Sequence, residues 1–184
     1  MHEVLREKRY RLNDFVRICR KVNNSICEGV DMDIRLENGI NINNSLLLCD
    51  WSNEKGERFQ KQWMGTRISY PLDVDKIQKM DNVFSIFNEE EFIGIIQIIR
   101  FENNNAHIGR FIINPQKTGQ GFGKVALKEF LKFLFSDKNI ESVTLTVFAS
   151  NKYVMNMYEK LGFKIDEVLK TPELKYIMKN AKQI

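Results

Sequence analysis

Residues 111–124 read Phe-Ile-Ile-Asn-Pro-Gln-Lys-Thr-Gly-Gln-Gly-Phe-Gly-Lys. A short apolar run stops at Pro115, a glycine-rich turn comes next, and the turn leads into the amphipathic stretch Phe122–Phe135. A strand that passes through such a turn into a helix leaves backbone N–H groups unpaired at the positive end of the helix dipole. That arrangement suits a phosphate or diphosphate. Two familiar phosphate loops do not fit. A Walker A loop needs Gly six residues before its Lys and Ser or Thr after it; around Lys124 those positions hold Thr118 and Val125. A dinucleotide fingerprint needs G-x-G-x-x-G. Gly119, Gly121 and Gly123 give G-x-G-x-G instead, with Lys124 where the third glycine belongs, and the turn comes late in the chain.

The elements that must hold this turn can be read from periodicity and punctuation. Leu12, Phe15, Val16, Cys19 and Val22 recur at helical spacing, so residues 3–22 are expected to form an amphipathic helix with a basic face. The Asn-rich stretch 23–44 reads as irregular, with a short strand near 32–36. Ser45–Asp50 reads as an apolar strand, residues 54–64 as a helix, and Pro71 as the opening of a second helix over 72–80. Val83–Phe87 and Phe92–Arg100 form an expected hairpin around Asn88–Glu91. Strand 106–113, helix 121–135, strand 142–148, helix 151–161 capped by Gly162, and strands 163–169 and 174–179 complete the chain. Strands in a run and then strand–helix alternation predict a mixed sheet with helices on its faces.

With those elements in place the chain resembles the GNAT N-acetyltransferases. Gln116-x-x-Gly119-x-Gly121 fits that family's [RQ]-x-x-G-x-[GA] signature, within Asn114-Pro115…Gly119-Gln120-Gly121-Phe122-Gly123. Downstream, Leu145–Phe148, then Asn151, then Tyr158-Glu159-Lys160-Leu161-Gly162-Phe163 resembles the family's strand–Asn–helix–Tyr-x-x-x-Gly-Phe segment. The resemblance spans about residues 45–179 and lies nearest the ribosomal-protein and polyamine acetyltransferases. It implies an α/β (α+β) GNAT fold, a mixed and mostly antiparallel sheet of about six to seven strands with helices on both faces. It divides the chain into an N-terminal extension, 1–44, and an acetyltransferase domain, 45–184. One position departs from the pattern: Thr118 stands where most relatives carry Arg before the first glycine, and Lys117 or Lys124 is the available substitute.

The resemblance also implies roles. Acetyl-CoA is the cosubstrate, no metal is needed, and an amine attacks the thioester directly in a ternary complex. Phe111, Ile112 and Ile113 would pair with the pantetheine arm as an added strand, with the Ile113 N–H as oxyanion donor. Gln116, Thr118, Gly119, Gly121, Phe122, Gly123 and Lys124 would bind the diphosphate. Asn151 would touch the pantetheine region, and it also suits a helix N-cap. Tyr158 matches the general acid, and its other reading is a place on the apolar helix face. An alkyl amine of pKa about 10.4 is neutral only on the order of one part in 10³ at pH 7, whereas an α-amine near 7.7–8.0 needs far less help. Strand 106–113 has no acidic residue, so the candidate bases are His107 and Glu102. Trp63, Arg67 and Tyr70 fall in the segment expected to build the acceptor site.

Charge and composition bound the partners. Residues 1–22 carry seven basic and three acidic side chains, +4 in all, which equals the net charge of the 184-residue chain. The basic balance therefore belongs to that segment. It supports a rival reading, a CoA-binding regulatory module or one that docks on nucleic acid or the ribosome; the plainer account packs the segment on the domain. Either a monomer or a homodimer is compatible. Three cysteines, no C-x-x-C and two histidines argue against zinc and for reduced thiols. The longest apolar run, Phe92–Phe101, contains Gln97 and Arg100, too short and too polar to span a membrane. The first residues lack the apolar stretch of a signal peptide, so the expectation is a cytoplasmic protein.

Overall fold

The computed structural model describes residues 25–27 and 30–182. The helix expected over 3–22 lies outside them. The elements are β1 (Ser25–Cys27), β2 (Val30–Met32), β3 (Ile34–Asn38), α1 (Ile42–Glu54), α2 (Glu57–Met64), α3 (Val74–Gln78), β4 (Val83–Asn88), β5 (Glu91–Glu102), β6 (Asn105–Ile113), α4 (Phe122–Ser136), β7 (Ser142–Phe148), α5 (Lys152–Lys160), β8 (Lys164–Leu169) and β9 (Lys175–Ala181). Strands β1 and β2 pair with each other, and the other seven form one sheet in the order β3-β4-β5-β6-β7-β9-β8. Every pairing in that sheet is antiparallel except β6 with β7.

Two cores lie on the two faces. On one, Phe122, Val125, Ala126, Phe130 and Leu134 of α4 pack on Phe84, Ile93, Ile96, Ile108 and Leu145 of the sheet. On the other, Leu48, Met64 and Ile77 of α1–α3 cover Val83, Phe87, Phe92, Ile95 and Ile112. Sheet residues that alternate between two covered faces read as nearly continuous apolar runs, which is what β4 and β5 show.

The strand expected over Ser45–Asp50 is instead the middle of α1. Asn41 caps that helix, its side-chain oxygen accepting from the Asn44 N–H at 2.8 Å. The buried positions Asn44, Ser45, Leu48, Cys49 and Ser52 recur every three or four residues. Leu46 and Leu47 point outward, 49% and 43% exposed. A short apolar run does not by itself distinguish strand from helix, and here the polar buried partners of the helical face set the outcome. Likewise α3 begins after Asp73, whose Oδ1 accepts from the Lys76 N–H at 2.9 Å, rather than at Pro71. Residues 34–38 form β3, an edge strand of the main sheet, so part of the expected extension is structurally continuous with the acetyltransferase-like domain.

The register of β5 on β6 positions the rest. It slips twice, at Ile95/Gln97 and at Ile98/Arg100. Arg110 sits in the first bulge with φ +46°, a conformation costly for a residue with a side chain. Its side chain is anchored: Nη1 donates to Gln97 Oε1 at 2.6 Å and Nε to the Met64 carbonyl at 3.4 Å. Gln97 is itself buried and donates to the Asp81 carbonyl at 2.6 Å. A bulge bends its strand and increases local twist, and here it falls just where β6 leaves β7.

Candidate active site

Strands β6 and β7 pair in parallel from Asn105↔Ser142 to Ile108↔Leu145 and no further. Beyond that point they part. A cavity of about 420 Å³ opens there, within the range of small-molecule sites. One wall is Phe111–Ile113 of β6 and the facing wall is Thr146–Phe148 of β7. The turn supplies Lys117, Thr118, Gly119, Gly121, Gly123 and Lys124; α5 supplies Asn151, Val154, Met157, Tyr158 and Lys160; α2 supplies Phe59, Gln62 and Trp63.

The free edge of β6 is polar. The Asn114 N–H donates to the Ile93 carbonyl at 2.7 Å, toward β5. Successive backbone groups along a strand alternate in direction, so the Ile113 N–H turns to the side where β7 has withdrawn. At the end of this edge, Pro115–Lys117 form a single 3₁₀ turn, fixed by the Asn114 side chain accepting from the Gln116 N–H at 3.0 Å. Gly119 and Gly121 have φ of +83° and +93°. Gly121 caps α4 without a side-chain bond, and the first turn of α4 has no acid. The first helical bond of α4 runs from the Val125 N–H to the Gly121 carbonyl at 3.2 Å. Among the described residues, the N–H groups of 119–124 have no backbone partner before it. Lys117, Lys124 and Lys160 line the same cavity. Lys117 also pairs with Glu91 at 2.8 Å and lies 5.4 Å from the Phe122 ring centroid.

Asn151 is both cap and wall: Oδ1 accepts from the Val154 N–H at 3.3 Å, and the residue lines the cavity. Tyr158 is 8% exposed, its ring 5.7 Å from that of Phe163, yet it lines the cavity. Its hydroxyl has no hydrogen-bond partner among the described residues. Burial pushes the phenol well above its usual range, so it stays protonated.

The remaining expected residues divide. Trp63 lines the cavity, its Nε1 donating to Ser52 Oγ at 3.3 Å. Gln116 does not line it, and Phe122 is buried in the α4 core. Arg67 and Tyr70 lie on the segment after α2, outside the wall. Glu102 faces Asn105 at the closed end of the β5–β6 hairpin, paired with Arg100 at 3.7 Å. Asn105 lies six positions before Phe111, roughly 20 Å at the usual rise. Glu102 is therefore not brought to the cleft. His107 stops short of it too. Nδ1 lies 2.9 Å from Thr144 Oγ1 and Nε2 3.4 Å from Thr146 Oγ1, and of these three residues Thr146 lines the cavity.

Burial first, then the charge of Arg100, pushes His107 down to about 4. A neutral imidazole with so low a pKa is a weak base. The shift has a consequence for stability. An unfolded His titrates near 6.5, so between about pH 6.5 and 4 the unfolded chain takes up a proton that the folded chain refuses. Stability falls with pH across that window. In His107→Gln the loss of urea midpoint between pH 6.5 and pH 4 should be visibly smaller than in wild type; equal slopes would show that this ring does not titrate as described.

Residues that the sequence reading passed over include Phe59, Gln62, Thr146, Tyr153, Asn156, Met157 and Lys160 of the lining, and Arg110 in the bulge. Of these, Met157 and Lys160 carried a signal: both lie within one turn of Tyr158 on the same short helix. The cavity lining includes no cysteine. Cys49, on the buried face of α1, has its thiol pushed up to about 11 by burial and by Asp73 and Asp50.

A sheet split between its parallel strands, with a glycine turn at the mouth, defines the acetyltransferase class of α/β folds, and the comparisons agree. The profile of the Acetyltransferase (GNAT) family matches residues 46–163. The chain belongs to that family. Among curated relatives, an uncharacterised N-acetyltransferase of Gracilaria tenuistipitata var. liui is 36% identical over 104 residues, 52% of this chain and 54% of that one. Acetyltransferase PseH of Campylobacter jejuni is 26% identical over 82 residues, 45% of this chain and 50% of that protein. The chain thus spans about half the length of the curated relatives it matches. Among solved structures, spermidine N-acetyltransferase from Vibrio cholerae in complex with CoA and spermine superposes with a TM-score of 0.66 at 17% identity, covering 80% of this chain and 95% of that one. A domain from Methanocaldococcus jannaschii superposes with a TM-score of 0.66 at 18% identity, covering 83% and 100%. These likenesses establish the fold.

Proposed function

We propose that this chain transfers an acetyl group from acetyl-CoA to a primary amine by direct attack in a ternary complex. The observation that carries this reading is the cleft between β6 and β7: a free strand edge at Phe111–Ile113 runs into the unpartnered N–H groups of 119–124. A CoA-type molecule fits these donors, since an extended amide-bearing arm needs a strand edge and a diphosphate needs a helix start with cations nearby. When bound it supplies an activated acetyl thioester. Gly119, Gly121, Gly123 and Lys124 hold its phosphates, with Lys117 and Lys160 adding charge. Ile113 directs its N–H at the carbonyl oxygen that gains charge during attack. Tyr158, buried and protonated, gives its proton to the sulfur as the C–S bond breaks, and the proton that the attacking nitrogen loses restores the phenol. Asn151 orients the arm beside it.

No carboxylate lines the cavity, and His107 is a poor base at second remove. The attacking amine must therefore arrive neutral, which favours an α-amine or another amine of low pKa over a simple alkyl amine. With no thiol on the wall, an acyl-enzyme has no evident carrier, which supports a sequential order. The test is free-thiol release from acetyl-CoA with both substrates varied. Intersecting double-reciprocal lines and strict dependence on amine are expected. Parallel lines, or release that ignores the amine, would overturn the reading.

A further inference from the structure

Resting on that reading, the two mouths of the cleft differ in a way that narrows the acceptor. The cavity draws its walls from both faces of the sheet. Phe111 and Ile113 of β6 pack in the layer of α4, together with Val154, Met157 and Tyr158 of α5. Ile112 packs on the other face, where Phe59 and Trp63 of α2 lie. The split between β6 and β7 therefore joins the two faces. Of the lysines on the wall, Lys117 ends the 3₁₀ turn, Lys124 is on α4 and Lys160 on α5. A CoA-type molecule seated on those donors takes the first face, which leaves the α2 face for the amine.

That second mouth is aromatic and uncharged. Phe59 and Trp63 are one helical turn apart, so both rings stand on one side of α2, and both are half-buried. Neither stacks on another aromatic ring among the described residues. The indole N–H of Trp63 already donates to Ser52, which leaves the ring to apolar contact. Gln62 is exposed. Its amide has no hydrogen-bond partner among the described residues, so it can bond a neutral polar group. Glu57, Arg58 and Lys61, the charged residues of α2, do not line the cavity, and Glu57 and Lys61 pair with each other at 2.9 Å. The wall holds no Asp or Glu, and its charges are all positive. A polycation entering here meets a field of its own sign. Its further ammonium groups find no counter-ion, and burying them unpaired is costly. An uncharged ring instead gains by leaving water, and Phe59 and Trp63 offer it offset or edge-on packing.

We infer that the acceptor is a primary amine carried on an uncharged aromatic group, whose ring packs on Phe59 and Trp63 beside Gln62 while the nitrogen reaches the split between β6 and β7. This separates the chain from the spermidine N-acetyltransferase whose fold it shares.

The test compares alaninamide, phenylalaninamide and argininamide, which present the same kind of α-amine beside a methyl, a benzyl and a cationic side chain, with spermidine alongside. Free-thiol release is measured with each, and acetyl-CoA binding is followed in parallel by calorimetry. Phenylalaninamide should have a kcat/KM about tenfold or more above that of alaninamide, on the scale at which an apolar pocket discriminates. Argininamide and spermidine should be the poorest. A tripeptide amide beginning with Phe tells a peptide source of the ring from a small molecule. In Phe59→Ala the preference for phenylalaninamide over alaninamide should shrink about fivefold or more. Gln62→Glu changes an exposed position and spares the core; it should raise argininamide relative to phenylalaninamide by about fivefold or more. Argininamide or spermidine as the best acceptor, alaninamide equal to phenylalaninamide, an unchanged ratio in folded Phe59→Ala or in Gln62→Glu, or no acetylation of any acceptor despite intact acetyl-CoA binding would each overturn the inference. Absence of acetyl-CoA binding would instead overturn the proposed function beneath it.

Discussion

Tyr158→Phe should lower turnover at least tenfold while leaving acetyl-CoA affinity within about twofold, the former within reach of the roughly 10²–10⁴-fold that positioned acid catalysis supplies. The substitution deletes one oxygen. The ring keeps its packing against Phe163 and its place in the core with Phe122, Val125 and Leu145. Because the hydroxyl has no partner among the described residues, its removal leaves no orphaned group behind. The thermal midpoint of the variant should therefore stay close to that of wild type. This separates the acid role from the alternative that Tyr158 is only part of the apolar face of α5. A merely packed ring predicts unchanged turnover. A structural hydroxyl predicts a lower midpoint. The raised phenol pKa adds a pH signature: wild-type turnover should show no falling limb from Tyr158 ionisation up to about pH 10, the ordinary phenol value. Turnover of Tyr158→Phe equal to wild type would remove the acid role.

Among the described glycines, Gly94→Ala should be the most damaging change to alanine. A Cβ at residue 94 would stand 2.1 Å from the Ile112 carbonyl oxygen and 3.1 Å from the Ile113 Cα. Both are backbone atoms, so no side-chain rotation relieves the clash, and β5 and β6 must separate. Overpacking of this kind costs about 3 kcal/mol or more. For a domain of this size each kcal/mol lowers Tm by about 2–4 °C, so a fall of about 6–12 °C is expected. The functional consequence comes from the same atoms. Gly94 pairs with Ile113 and Ile95 with Ile112, the residues whose other edge forms the cleft wall. Material that remains folded should bind acetyl-CoA more weakly. Gly109→Ala is the internal control. There the nearest atom is Ile99 Cγ1 at 3.1 Å, an exposed side chain able to move. A Gly94→Ala protein as stable as Gly109→Ala would refute the close strand approach.

The distribution of what the sequence disclosed reflects the range of the interactions. The glycine turn, the Asn151 cap and Tyr158 were legible because local chemistry fixes them: positive φ demands glycine, and a cap is a contact across three residues. The hairpin β4–β5 and the elements after it were legible from alternation and turn residues. The α1 segment was not, because its helical face carries buried polar residues with partners distant in the chain, Gln78 for Ser45, thirty-three positions on, and Trp63 for Ser52. Glu102 and His107 lie away from the cleft for another reason. Strand membership says nothing of how far along the strand the sheet splits, and that point is set by a bulge around Arg110, Gln97 and Met64, joined only in three dimensions. The absence of any carboxylate on the cleft wall is likewise a property of the assembled walls and not of a motif.

In the proposed function the main-chain nitrogens of 119–124 grip the diphosphate of a CoA molecule. Isothermal titration of the wild-type chain with CoA, repeated with Gly121→Val, tests it most directly. A valine there would need a φ near +93°, which L side chains rarely adopt, and its Cβ would sit 3.4 Å from Met32 Cε. One CoA per chain is expected for wild type, weakening with added salt as the lysine contribution is screened, and at least tenfold weaker binding by a still-folded Gly121→Val. No heat from well-folded wild-type protein, or equal affinity in the variant, would contradict the claim.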